Sequence, residues 1–424
     1  MNDYSCSNEL LEKALKVIPT GSQTFSKSHY SLPKGASPLF LESGSGAHVI
    51  DVDGNEYIDL VNGLLSVSLG YGDKDIDRAI TEQLKKGISF SLPHHLELEV
   101  ANLLIDLIPC AEMVRFGKNG TDVTSAAIRL ARAYTGREHI AVCGYHGWQD
   151  WYIGTTSRDL GVPESVKNLS HVFKYNDLPS LERLFDRFPK MAAVIMEPMS
   201  SQYPDAGFME AIRELCDKNG SLLIFDEMIT GFRFSINGAQ SIFNVTPDLA
   251  TFGKGMANGM PLSALVGKKE VMSMMDDIFF SGTFGGETLS LAAAKATITK
   301  MLDNNVIEHM HSIGKYLNDG IQAVIEKLNV NWLRLEGHDV WKIIVINAGD
   351  KTQLYKSILL QELIKNGVLT IGSHNISYAM SIKDADRVIK AYELSLVAVE
   401  AARKDKSESK ILKGEEIKPV FKVR

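Results

Sequence analysis

Between about residues 100 and 300, short uninterrupted apolar runs alternate with amphipathic stretches. The runs Ile140–Cys143, Ala192–Met196, Leu222–Phe225 and Leu249–Phe252 are bounded by polar or glycine-containing segments. Runs of that length suit strands buried on both faces, and their alternation with helices predicts a mostly parallel sheet covered by helices. Upstream, Leu10, Leu11, Ala14, Leu15 and Ile18 predict a helix over 8–18, and residues 38–60 read as short strands turning at Asp53-Gly54. Downstream, apolar positions from Ile313 to Leu328 predict a long helix over 305–330. A strand at Val340–Ile346, a helix at Gln353–Lys365 stopped by Gly367, a strand at Val368–Ile371 and a last helix over about 384–402 follow. The expected fold is α/β, with a large domain built on the parallel sheet and a smaller α/β domain. The expected limits are 1–65 for an N-terminal segment packing with the small domain, 66–305 for the large domain, 306–403 for the small domain and 404–424 for a polar linker and tail. Within that tail, Lys418–Arg424 alternates apolar and basic residues and reads as an edge strand or a loose end.

Composition narrows the function classes. The 424 residues are 45% hydrophobic and 23% charged, with formal net charge −7, as in ordinary soluble domains. That balance disfavours a broad nucleic-acid surface, and no apolar run approaches the roughly 18 residues of a bilayer span. The N-terminus has no basic-then-apolar pattern of a secretory signal. Cys6, Cys110, Cys143 and Cys216 are dispersed, which argues against zinc or redox motifs and for a cytoplasmic setting.

Candidate chemistry centres on Lys254, in Ala250-Thr251-Phe252-Gly253-Lys254-Gly255, and on Asp226, which ends the run Leu222–Phe225. A lysine between glycines, with a carboxylate at the end of an earlier strand, suits pyridoxal phosphate. The amine condenses with the cofactor aldehyde, and the carboxylate faces the pyridine nitrogen and keeps it protonated. Alone, Asp226 would equally suit a cap on the next segment. Lys118-Asn119-Gly120-Thr121-Asp122 opens a helix whose free N–H groups fit a phosphate, or is an ordinary cap. Tyr145, in Gly144-Tyr145-His146-Gly147-Trp148 after the run Ile140–Cys143, can stack on a flat ring, or is a half-buried turn residue. Ser281–Glu287 is a second glycine-rich helix opening. Other signals fail. No Ser or Thr follows Lys254 as a P-loop needs, Val49 stands where a dinucleotide fingerprint needs glycine, and Gly54 comes too early for a calcium loop. His94/His95 and His309/His311 lack ligand partners at useful spacing, so no metal is expected.

Taken in order, these motifs resemble the class III pyridoxal-phosphate aminotransferases, including their glutamate-1-semialdehyde 2,1-aminomutase branch, over roughly residues 10–400. The resemblance implies fold type I. It implies Lys254 as the cofactor-bonding lysine, Asp226 at the pyridine, Met228 where relatives have a valine under the ring, and Tyr145 and His146 as the aromatic-His pair. It places Asn119, Gly120 and Thr121 in the phosphate loop, and makes Gly282-Thr283 the segment whose threonine reaches the phosphate in a partner subunit. A homodimer with shared active sites follows. Glu197-Pro198 matches the family's Glu-Pro near the site, and Trp148 lies in a stretch richer in aromatics than expected of the aminomutase. Lys27 stands where the aminomutase has a carboxylate-binding arginine, and Met380 stands where the family has a histidine. Lysine lacks arginine's planar two-pronged grip. Three functions remain open: a transaminase moving nitrogen from an amino-acid donor to a small or sugar-derived aldehyde or ketone, an aminomutase needing no separate donor, and a non-catalytic cofactor-binding protein. Residues 154–168 are expected to be a mobile lid or a plain surface loop.

Overall fold

The computed structural model describes residues 3–418. Two compact units emerge, one built from residues up to Asp73 and from Glu308 onward, the other from Lys74–Ile307. In chain order the strands are β1 (Leu41–Ser45), β2 (His48–Asp51), β3 (Glu56–Asp59), β4 (Met113–Gly117), β5 (His139–Cys143), β6 (Ser170–Val172), β7 (Met191–Met196), β8 (Leu222–Asp226), β9 (Leu249–Phe252), β10 (Ser263–Gly267), β11 (Leu333–His338), β12 (Trp341–Ile346), β13 (Val368–Leu369) and β14 (Ser373–Asn375).

The unit Lys74–Ile307 holds a seven-stranded sheet in the order β4-β10-β9-β8-β7-β5-β6. β9, β8, β7, β5 and β6 run parallel, while β10 is antiparallel to both β9 and β4. Two successive reversals return β4 to the direction of β9. The carboxyl ends of β4, β5, β7, β8 and β9 therefore share one edge, where open α/β sheets bind ligands. β7 and β8 are buried along their whole length, as uninterrupted apolar strands covered on both faces must be. The helix Gly120–Thr135 buries Val123, Ala126, Ala127, Leu130 and Ala131, and these pack in one core with Ile140, Ile195 and Ile224.

The other unit joins the stretch before Lys74 to the stretch from Glu308. β1-β2-β3-β13 form one sheet, with β13 parallel to β3 through the pairs Val368↔Ile58 and Leu369↔Asp59. β11-β12-β14 form a second, antiparallel sheet. The division falls eight residues beyond the expected limit at 65, because Tyr71 and Gly46 exchange two backbone hydrogen bonds of 2.8 Å and the Tyr71 hydroxyl donates to Asp59 at 2.6 Å.

Other departures have local causes. The first helix spans Ser5–Ala14 rather than 8–18. Its start is capped by the carboxylate of Asp53, which accepts from the N–H groups of Cys6 and Ser7 at 2.6 and 3.0 Å, a partner far away in sequence. β13 stops at Leu369 because the Thr370 hydroxyl turns back, donating to the Ser373 carbonyl and accepting from the Gly372 N–H. Residues 404–424 read as polar linker and tail, yet Ile411, Lys413 and Ile417 are tied to the helix Thr352–Lys365 by side-chain to backbone hydrogen bonds, which hydropathy does not register. Most of the Lys418–Arg424 segment, read as an edge strand or loose end, lies outside the described residues. No helix among the described residues is long and apolar enough to cross a membrane.

Candidate active site

Four strand ends deliver the functional side chains to one edge. Asp226 ends β8, Glu197 follows β7, Tyr145 and His146 follow β5, and Lys254 follows β9. Asp226 is 3% exposed. Its Oδ1 accepts from the Met228 N–H at 3.1 Å and the Thr251 hydroxyl at 3.3 Å, and its Oδ2 lies 2.8 Å from His146 Nδ1. His146 Nε2 lies 3.1 Å from the Cys143 carbonyl. A carbonyl only accepts, so Nε2 carries a hydrogen, and one further proton then lies between Nδ1 and Oδ2. The carboxylate is thus fixed in position by three partners, the buried His146 ring among them.

Glu197 is partly buried, and its Oε2 accepts from the Tyr145 N–H at 3.1 Å. Burial and the nearby Asp226 carboxylate push its carboxyl up to about 7. A Cβ on Gly144, where φ is +104°, would stand 2.4 Å from that oxygen. Only glycine suits both the backbone and the space.

Lys254 has φ +41°, the left-handed region that a long side chain enters only when its surroundings fix it. Burial holds its ammonium below the ordinary lysine range; Asp226 and Glu197 oppose that effect, and Arg233 adds to it. The result is a neutral, nucleophilic amine in a larger share of molecules. Met228, 7% exposed, fills the space between two glycines. Its sulfur would lie 2.8 Å from a Cβ on Gly253 and 3.0 Å from one on Gly120.

Following β4, Asn119 caps the helix Gly120–Thr135. The Asp122 carboxylate accepts from the N–H groups of Lys118 and Asn119 at 3.1 and 2.7 Å. The next N–H groups, those of Gly120 and Thr121, lie at a helix start, where the dipole favours an anion. The Thr121 hydroxyl accepts from the Trp148 N–H at 3.4 Å, which ties this loop to the one after β5. The rings of Tyr145 and Trp148 are 48% and 66% exposed, and Tyr145 meets Tyr152 edge-on at 5.5 Å.

Thr283 is exposed and lines a cavity of about 370 Å³ with Lys118, Asp122, Arg129 and Gln149. Lys27 belongs to the other unit. It ends the turn Phe25–Lys27, where its N–H is capped by Thr24 at 3.1 Å. Hydropathy does not mark Thr251, Arg233 or Glu227. Thr251 lies inside the apolar run of β9, and its bond to Asp226 needs the β8–β9 register. Arg233 is 1% exposed, and burial pushes its guanidinium down to about 9. Glu227 is fully buried and accepts from Thr230, from Gln240 and from the Ala239 N–H, so it shapes the loop after β8.

Residues 30–387 match the sequence profile of the family Aminotransferase class-III. This chain belongs to the class III aminotransferases. The 3-aminobutyryl-CoA aminotransferase of Cloacimonas acidaminovorans is 36% identical over 407 residues, covering 93% of this chain and 97% of that protein. The glutamate-1-semialdehyde 2,1-aminomutase of Alkaliphilus oremlandii is 35% identical over 419 residues, covering 92% and 98%. Among solved structures, the PLP form of FumI from Sphingopyxis sp. MTA144 matches with a TM-score of 0.89 at 28% identity, covering 96% of this chain and 99% of that one. An omega-transaminase from Sphaerobacter thermophilus matches at 0.86 and 27%, covering 93% and 98%.

This class III aminotransferase is an enzyme of fold type I, and its cofactor is pyridoxal phosphate. Its side chains fit that group. A depressed lysine amine suits an aldehyde, a fixed buried carboxylate suits a protonated ring nitrogen, and a helix start with two forward N–H groups suits a phosphate.

Proposed function

We propose that this class III enzyme is an aminotransferase that takes nitrogen from an amino-acid donor and delivers it to a small aldehyde or ketone, sugar-derived carbonyls included. The observation that carries the reading is the convergence of Lys254, Asp226, His146 and Glu197 on one sheet edge. When bound, pyridoxal phosphate supplies an electrophilic aldehyde and an electron-withdrawing ring. Asp226, held by His146, Thr251 and the Met228 N–H, would keep the ring nitrogen protonated. Gly120, Thr121 and Asn119 would hold the phosphate, with Thr283 supplied by a partner subunit. Tyr145 and Met228 would hold the ring. Lys254 would supply the amine that takes the aldehyde and, acting as base and acid, would move the proton at the substrate carbon. Lys27 meets a substrate carboxylate as a point charge, and Trp148 and Glu197 border the substrate.

Lys27 in place of arginine favours two-substrate transfer over the aminomutase reaction. The 35% identity to aminomutases over nearly their whole length favours the second reading. Donor dependence separates them. Consumption of an amino donor with release of its keto product supports transfer, whereas conversion of glutamate 1-semialdehyde without any donor overturns it. Lys254→Ala should lower turnover by about 10²–10⁴-fold; wild-type turnover in that variant removes the lysine from the mechanism.

A homodimer with shared sites belongs to the same reading. It is supported by exposed apolar side chains in the unit Lys74–Ile307, among them Phe90 at 50%, Leu92 at 79% and Phe279 at 81%. A cytoplasmic setting is supported by four cysteines that are all free thiols.

A further inference from the structure

Residues 405–418 lie past the end of the family match at residue 387, yet they are bound closely to the rest of the unit that joins the early and late parts of the chain. Gln361, 5% exposed, is their anchor. Its Oε1 accepts from the N–H groups of Lys413 and Gly414 at 2.6 and 3.2 Å, and its Nε2 donates to the Ile411 carbonyl at 2.9 Å. On either side, Glu408 accepts from the Tyr355 hydroxyl at 3.1 Å, and the Ile417 N–H donates to Ser357 at 3.0 Å.

The tail then reaches the N-terminal segment. The Glu415 N–H donates to the Lys34 carbonyl at 2.9 Å, and the Lys34 ammonium pairs with the Glu415 carboxylate at 3.2 Å. Gly414 approaches so closely that a Cβ there would stand 2.7 Å from the Pro33 carbonyl oxygen and 2.9 Å from that of Lys34. Both obstacles are backbone and neither can swing away. The segment being held is bonded mostly to near neighbours in sequence. Residues 25–31 are two three-residue turns, Phe25–Lys27 and His29–Ser31, with local hydrogen bonds such as Ser28 to Phe25 and Ser37 to Pro33. Such turns are weak alone. The same segment, through Lys27, Ser28 and Leu32, walls a cavity of about 520 Å³ that is also lined by Phe40, Asp59 and Tyr71.

We propose that residues 405–418 are a strap that positions the Lys27-bearing segment, with Gln361 as anchor and Gly414 as the point of closest approach, and so sets affinity for a carboxylate-bearing substrate. The strap acts by keeping the segment in its binding arrangement. The link to affinity rests on Lys27 meeting the substrate, whereas the strap itself rests on the contacts above.

Two variants of the full-length, cofactor-loaded enzyme test it: Gly414→Ala, which drives the tail off the Pro33 carbonyl, and Glu415→Lys, an exposed change that sets like charges against Lys34. Trypsin followed by mass spectrometry reads cleavage after Lys27 and Lys34. The half-reaction with L-glutamate, L-alanine or 3-aminobutyrate, read through the cofactor's visible absorbance, gives the half-saturating concentration and the plateau rate. Faster cleavage is expected in both variants. If the segment is competent in about a fifth of molecules, half-saturation rises about fivefold while the plateau rate stays within about twofold. Unchanged cleavage in both variants overturns the strap. Faster cleavage with unchanged half-saturation overturns its link to substrate. Lys27→Ala, measured alongside, tests the Lys27 reading separately: unchanged half-saturation there overturns that reading and leaves the tryptic result to decide the strap.

Discussion

At the scale of single residues, the site works by placing charges where water is scarce. The Glu197 carboxyl rises from an ordinary 4.5 to about 7 because it is desolvated and faces Asp226, so the folded protein holds that proton more tightly than the unfolded chain. The associated stability is fully present below pH 4.5 and is lost as the pH climbs through about 7. Glu197→Gln cannot ionise and should flatten that loss. Urea midpoints of cofactor-free protein at about pH 5 and about pH 8 check it, and an equal fall in both proteins would remove Glu197 as the cause. Gly144→Ala should cost about 1–3 kcal/mol from the forced backbone and displace Glu197 besides, since the new methyl overlaps Oε2. A melting temperature unchanged from wild type would show that the loop after β5 has more room than its contacts indicate.

Among elements, the helix Gly120–Thr135 and the six co-directed strands do most of the positioning. Asp122 closes the helix start by accepting two N–H groups. Asp122→Ala should cost about 1–2 kcal/mol and speed loss of cofactor on dialysis; retention at the wild-type rate would mean that the phosphate loop is held by other contacts. This level was also the most legible in the sequence. The runs at Ile140, Ala192, Leu222 and Leu249 read as strands because a strand covered on both faces admits almost no polar residue, and reading them placed Tyr145, Glu197, Asp226 and Lys254 at strand ends. What hydropathy left out depends on register and on distant partners. The bond from Thr251 to Asp226 needs β8 beside β9, the pairing of His146 with Asp226 needs the loop after β5 folded back, and the cap on Ser5–Ala14 comes from Asp53. Arg233 was unreadable for a different reason, since its composition and position suggest a surface cation and only the fold buries it.

For the whole molecule, the exposed apolar side chains between Leu84 and Leu98, with Phe279 and Phe284, make the prediction. They should be covered by a second copy, so light scattering should report a dimer mass. Phe90→Glu with Leu92→Glu should shift it toward monomer and lower activity together; a monomer with full turnover would separate catalysis from assembly.

The parallel pairing of β3 with β13 brings residues 58 and 368 side by side. A nascent chain leaves the ribosome from its amino end, so the stretch up to Asp73 must wait for some three hundred further residues before its sheet can close, and closing so long a loop is slow. The contiguous stretch Lys74–Ile307 carries its own sheet and has no such wait. The unit that carries Lys254 and Asp226 should therefore fold first, while the amino-terminal strands remain protease-sensitive until synthesis has passed Leu369.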